Sequence, residues 1–300
     1  MALLVSGILA LAVIVWAGFI ERLAFTVVEE EQTLPVLPVD AVPIRVLHVS
    51  DLHLAPWQHK KRRWLKSLPE RVAFDLVVNT GDNLGHIDAV PVALDSLGPL
   101  MRSPGVFVNG SNDYFAPQFR NPLEYLKAPS QRRSQQPLDT VAMTNEFERA
   151  GWLNLNNRGG QLKVNGTSLS FVGVDDYHDG LADLNSLQNS AQVQQGTSTT
   201  LLGVSHAPYL AVIDAMNDVE AKVLFAGHTH GGQVCIPGYG ALVTNCDLPT
   251  KAAKGLSTWS RGGRQLWLNV CAGLGHSIYA PVRLACRPEV RIVTLVARNS

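Results

Sequence analysis

A chain of 300 residues, 46% of them apolar, is long enough for one generous domain or a modest pair, with a core of ordinary size. Twenty-five Lys and Arg balance twenty-five Asp and Glu, so no global basic footprint suggests a nucleic-acid partner. Cys235, Cys246, Cys271 and Cys286 lie late and lack CxxC spacing, which argues against a zinc ribbon and leaves the redox compartment open.

Residues 2–20 carry no charge. At about 1.5 Å per residue such a run covers most of a ~30 Å hydrocarbon layer. No basic residue precedes it and no small-x-small cleavage site follows. It therefore reads as a single-pass membrane anchor, residues 1–26, rather than a cleaved signal or a buried core helix. Arg22 is the only basic side chain near either end, and the membrane face stays open. Residues 27–43, with three glutamates and three prolines, read as a linker to a catalytic body over 44–300.

Within that body, short apolar runs predict strands at 44–49, 76–78, 106–108, 169–174, 201–204, 223–225, 266–270 and 290–296. Helical patterns fall at 60–68, 88–101, 141–150 and 209–216. Residues 127–140 and the Gln-, Ser- and Thr-rich stretch 189–200 read as surface insertions. Strands alternate with helices early, and the last third is mostly strand. That order predicts an α/β fold of packed sheets with helices outside, not a simple doubly wound sheet.

The chemistry is carried by HVSDLHL, NTGDN, VNGSND, GVSHAP and AGHTHGGQ, most of which follow a predicted strand. They present Asp51, His53, Asp82, Asn112, His206, His228 and His230. Carboxylates, imidazoles and one amide, without thiolate, suit Mn, Fe or Zn. Seven ligands exceed one ion's needs but suit two divalent ions that share a carboxylate. Asp51 and His53, like His228 and His230, are two apart, and in an extended segment such residues point to the same side. Gly81 lets the backbone turn and expose Asp82.

In this order, the segments resemble the calcineurin-like metallophosphoesterases, with their DxH, GDxx, GNH[DE], lone His and GHxH pattern. The resemblance runs from about 45 to 296 and is nearest to a membrane-anchored bacterial branch. That branch shares GHTHGGQ, a late GLG at 273–275 and RPEV at 287–290, and includes UDP-2,3-diacylglucosamine pyrophosphatases. It implies a four-layer α-β-β-α sandwich of two stacked mixed sheets. It also implies one ion on Asp51, His53, Asp82 and His230, and another on Asp82, an amide, His206 and His228. The expected reaction is attack on phosphorus by a hydroxide held between the ions. With Asp51, Asp82 and the hydroxide counted, about one positive charge remains for a phosphodiester or pyrophosphate. GDNLGH lacks the GDxxDRG extension of the protein Ser/Thr phosphatases, which weakens a phosphoprotein reading.

One segment departs from the family. GNH[DE] is here Gly110-Ser111-Asn112-Asp113. Either Ser111 replaces the amide ligand or a loop shift brings Asn112 to it. In both cases the histidine that helps protonate the leaving group is missing, and an amide cannot be a general acid. That favours easily expelled leaving groups, or the alternative of a membrane-tethered, metal-holding binding module with weak or no catalysis. His178, in DDYHD, is either part of a polar turn or a group that reaches the substrate in a catalytic role. His48, His59, His86 and His276 read first as bland core or surface histidines, although His86, like His178, could donate the missing proton from another loop. The basic run 59–63 reads as a solvated helix face, with anionic lipid as the other reading. The expected partners are a phosphate-ester or pyrophosphate substrate, lipid-linked or a nucleotide sugar, and the membrane; the oligomeric state is undetermined.

Overall fold

Alternating apolar side chains on the strands sort the molecule into layers. A computed structural model describes residues 1–117, 136–195, 200–276 and 278–298. One sheet holds β1 (Thr26–Glu29), β2 (Leu34–Leu37), β3 (Ile44–Val49), β4 (Leu76–Asn79), β5 (Gly105–Phe107), β6 (Leu153–Asn154) and the last strand, β15 (Glu289–Ala297). The other holds β7 (Gly159–Val164), β8 (Thr167–Gly173), β9 (Leu201–Val204), β10 (Val223–Ala226), β13 (Gly255–Arg261) and β14 (Arg264–Val270). A two-stranded ribbon, β11 (Cys235–Ile236) and β12 (Gly240–Ala241), stands apart.

Both sheets are mixed. β15 runs antiparallel to β3, whereas β3, β4, β5 and β6 are parallel. In the second sheet β8, β9, β10 and β14 are parallel, and β7 and β13 pair antiparallel at the edges. Val46, Val78 and Val106 of the first sheet meet Phe171, Leu202 and Phe225 of the second in a buried layer. Their neighbours Leu47, Val77 and Phe107 point outward, onto Leu65 of α2 (His59–Lys66), Ala93 of α4 (Val90–Leu97) and Phe147 of α6 (Thr140–Arg149). On the far side Val172 and Leu224 pack against Leu187 of α7 (Leu184–Gln195) and Val212 and Met216 of α8 (Leu210–Asp218). Period-two alternation thus builds the expected four-layer sandwich.

Two expectations change. The stretch 27–43, read as a linker, supplies β1 and β2, which both pair with β15. Leu34, Val36 and Leu37 are buried there, and Pro35 sits exposed on an outer strand, where a missing N–H is tolerated. The 189–200 insertion is helical as far as Gln195, because α7 buries Leu187 and Ala191; 196–199 lie outside the described residues. Most of the 127–140 insertion also lies outside them, and α6 begins at Thr140.

At the N-terminus, α1 (Ala2–Val15) continues through a π-turn at Trp16–Ile20 and a 3-10 turn at Glu21–Leu23. The span Leu4–Leu23 is long and apolar enough to cross a membrane and projects largely exposed from the body. Its end is docked. Glu21 is buried and accepts from the Trp16 indole at 2.7 Å and from the Cys286 backbone N–H at 2.8 Å.

Candidate metal centre

The segments singled out in the sequence follow the C-terminal ends of β3, β4, β5, β9 and β10, three strands of one sheet and two of the other. They converge where the sheets abut. Asp51, His53, Asp82, His228 and His230 all hold left-handed backbone, with φ of 47, 40, 55, 68 and 49°. Each such residue costs roughly 1–2 kcal/mol, so surrounding bonds must impose it. The Asp51 N–H donates to Gly81 O at 2.9 Å, His53 N–H to Asp82 O at 2.9 Å, and Gly275 N–H to Asp51 O at 2.6 Å. Asp51 and His53 therefore do not converge as neighbours on an extended segment; kinked loops bring them together.

Asp51 Oδ1 lies 3.6 Å from His230 Nε2 and 4.0 Å from His53 Nε2. Asp82 Oδ2 lies 3.4 Å from His53 Nε2 and 3.6 Å from His206 Nε2. His206 Nε2 in turn lies 3.3 Å from His228 Nδ1. Among the described residues, two triplets could hold an ion, Asp51-His53-His230 and Asp51-Asp82-His206. His228 and His230 thus diverge, one toward His206 and one toward Asp51. Asp51 Oδ1 and His53 Nε2 are buried with no hydrogen-bond partner, which suits groups that share a cation.

Asn112 reaches the Asp82 carboxylate. Its Nδ2 lies 2.7 Å from Asp82 Oδ2, and its backbone N–H donates to Asp82 Oδ1 at 2.8 Å. Glycine is needed beside it, because a Cβ on Gly110 would sit 2.3 Å from Asp82 Oδ1 and 2.8 Å from the His206 ring.

The ionisation of Asp82 and of three histidines fits metal ligation. Burial lowers His53 to about 4 and holds His228 and His230 well below the usual range, which leaves neutral imidazoles. Burial would raise the Asp82 carboxyl, but His206, His53 and the Asn112 donors outweigh it and hold it at about 2. Burial would lower His206, yet Asp82, Asp51 and Asp176 raise it to about 9. His206 Nδ1 lies 2.8 Å from Thr80 O, so Nε2 faces the carboxylates.

Three other residues shape the site. Asp113 is buried and accepts N–H bonds from Asp82, Asn83 and Gly110 at 2.7 to 3.0 Å, locking two loops together. It closes the GSND segment, which is the signal that could have shown its role. Arg283 is fully buried and donates to the carbonyls of Ala272, Gly275 and His230, so it holds the last loop against the centre. Nothing in its spacing announces it. His228 Nε2 lies 3.2 Å from Asn245 O, which orients its ring.

His178 belongs to a turn in which Asp176 accepts from the N–H groups of His178 and Asp179. That turn also sets its ring 4.9 Å from the ring of His228, with Nδ1 2.8 Å from the Tyr209 hydroxyl. DDYHD thus forms the expected polar turn, and that turn sets His178 beside His228. His48 is structural, bonded to Asn269 at 2.8 Å and Thr80 at 3.1 Å. His86 stacks edge-on to Trp57. The four cysteines are free thiols. In the basic run, Lys61 is buried and donates to Leu52 O at 2.7 Å, whereas His59, Lys60 and Arg63 are exposed.

A mixed α/β sandwich with clustered carboxylates and imidazoles at its strand ends defines the class, and the family comparison agrees. The family model for calcineurin-like phosphoesterases matches residues 44–232, and the chain belongs to that family. It is 25% identical over 264 residues to an uncharacterized metallophosphoesterase of Aquifex aeolicus, covering 86% of this chain and 87% of that one. It is 26% identical over 239 residues to the uncharacterized metallophosphoesterase YkoQ of Bacillus subtilis, covering 77% and 78%. Among solved structures it is similar to the phosphopantetheinyl hydrolase of Mycobacterium tuberculosis, with 11% identity, 83% and 96% coverage and a TM-score of 0.40.

Proposed function

We propose that this chain is a membrane-anchored phosphoesterase that uses two divalent ions to hydrolyse a phosphodiester or pyrophosphate. The observation that carries this reading is Asp82 Oδ2, which faces His53 from one side and His206 from the other. That is the position of a bridging carboxylate. Asp51, His53, Asp82 and His230 would hold one ion; Asp82, Asn112, His206 and His228 would hold the second. When bound, such ions supply Lewis acidity and lower the pKa of water. Two ions per chain by elemental analysis, with turnover of a chromogenic phosphodiester, would support the proposal. One ion, or two without turnover of any mono-, di- or pyrophosphate ester, would refute it and favour the binding module.

Proton delivery falls to a residue outside the family pattern. Asn112 cannot supply it, whereas His178, beside His228 and bonded to Tyr209, is an imidazole outside the family pattern that sits against a candidate ligand. His178→Ala is expected to slow alkyl esters by ~10²–10⁴-fold while aryl esters with acidic leaving groups lose far less. The slope of rate against leaving-group pKa is the readout; an unchanged slope removes His178 from the mechanism.

The anchor narrows the substrate class. Leu4–Leu23 has mean hydropathy 2.2 over its most apolar window, and its end is bonded into the body that carries the centre. A site fixed at the bilayer suits a lipid-linked diester or pyrophosphate, or a nucleotide sugar that carries acyl chains. Full-length protein should stay with membranes after alkaline carbonate washing; its release, or a mature start beyond Ala17, would rule out anchoring.

A further inference from the structure

The body does not hang below the apolar span on a tether; it overlaps the span's last turn. Arg283 N–H donates to Ala17 O at 3.1 Å, and Ala17 is buried although Phe19 and Ile20, further along the same run, are exposed. Chain around Arg283 therefore lies at the depth of the final turn of the uncharged run 2–20. What pairs with that chain shares its depth. Leu284 bridges Val234, Cys235 N–H donates to Leu284 O at 2.8 Å, and the Gln233 side chain donates to Ala280 O at 3.1 Å.

These contacts carry the ribbon β11–β12, which begins five residues after His230. Val234, Ile236, Tyr239 and Leu242 are exposed on it, Tyr239 at 75%, and Tyr279 is exposed on the neighbouring segment. No Asp, Glu, Lys or Arg occurs between His230 and Asp247. A second element beside the end of the anchor differs in character. Phe25 packs on Trp64 with ring centres 5.6 Å apart, which sets α2 and its exposed His59, Lys60 and Arg63 beside the span. Apolar and aromatic side chains on the ribbon and cations on α2 match the acyl boundary and the headgroups of a bilayer. The acidic Glu21 between them is buried and paired, so the face carries no exposed carboxylate at that point.

We propose that the ribbon 234–242 inserts into the lipid interface, so that the rim of the metal centre beside His230 lies at headgroup level. The occupant of this apolar face is the bilayer itself, as the bonded continuity with the span requires. This rests on the anchor reading of Leu4–Leu23 but not on catalysis, and the two are tested separately.

Full-length protein is reconstituted in phosphatidylcholine vesicles whose lipid carries a diazirine high on an acyl chain. Photolysis should label two regions, the span and the ribbon. Label on the span without label on the ribbon overturns the proposal and leaves anchoring intact. Label on neither overturns both. Chain-to-chain cross-links through the ribbon in place of lipid label would make it a self-association surface and likewise overturn the proposal. As a second readout, Ile236→Ser with Tyr239→Ser should lower the ratio of vesicle-borne to soluble aryl phosphodiester hydrolysis about tenfold. An unchanged ratio, in a variant with wild-type melting, counts against insertion.

Discussion

Asp82→Ala is expected to empty both ion positions together. Its Oδ2 faces a histidine of each candidate group, and in the proposed two-ion centre its charge would offset the repulsion between the cations. Removing one histidine deletes one ligand from one group; removing Asp82 deletes the group common to the proposed pair. Hydrolysis should fall on the order of a thousandfold or more, about 4 kcal/mol of barrier. Metal content measured beside activity decides the matter. A variant that keeps one ion at full occupancy would make Asp51, which belongs to both triplets, the better bridge.

Gly110→Ala should do comparable damage with every ligand still present. At φ −110° the backbone accepts alanine without strain, so the loop need not rearrange. The added methyl would nonetheless lie 2.3 Å from Asp82 Oδ1 and 2.8 Å from His206, well inside contact distance. The carboxylate or the ring must move by several tenths of an ångström. Misplacement on the ångström scale costs ~10²-fold in rate. Melting should drop only by the ~1–3 kcal/mol typical of local overpacking. A variant with wild-type turnover would show that the two loops have slack that their hydrogen bonding does not suggest.

The site could be read from the sequence because parallel strands buried on both faces appear as unbroken apolar runs, and each motif sits just past one. What stayed hidden is instructive. β1 and β2 were masked by prolines and glutamates, since an outer strand tolerates what an inner one forbids. α7 was masked by Gln and Ser, although Leu184, Leu187 and Ala191 repeat at helical spacing. Arg283 was illegible because its role is to satisfy carbonyls that only the folded loops bring together. The choice between Ser111 and Asn112 depended on a loop path, and spacing could not decide it.

The left-handed backbone at Asp51, His53, Asp82, His228 and His230 has a consequence for how such a chain would drift. Glycine is the residue most at ease in that conformation, so replacing any of the five with glycine would relieve local strain even as it removed a ligand. A laboratory lineage selected only for heat tolerance, in a chelator, should therefore accumulate glycine at these positions before it touches the apolar layers. Grown with metal and selected for turnover, the same lineage should hold all five unchanged.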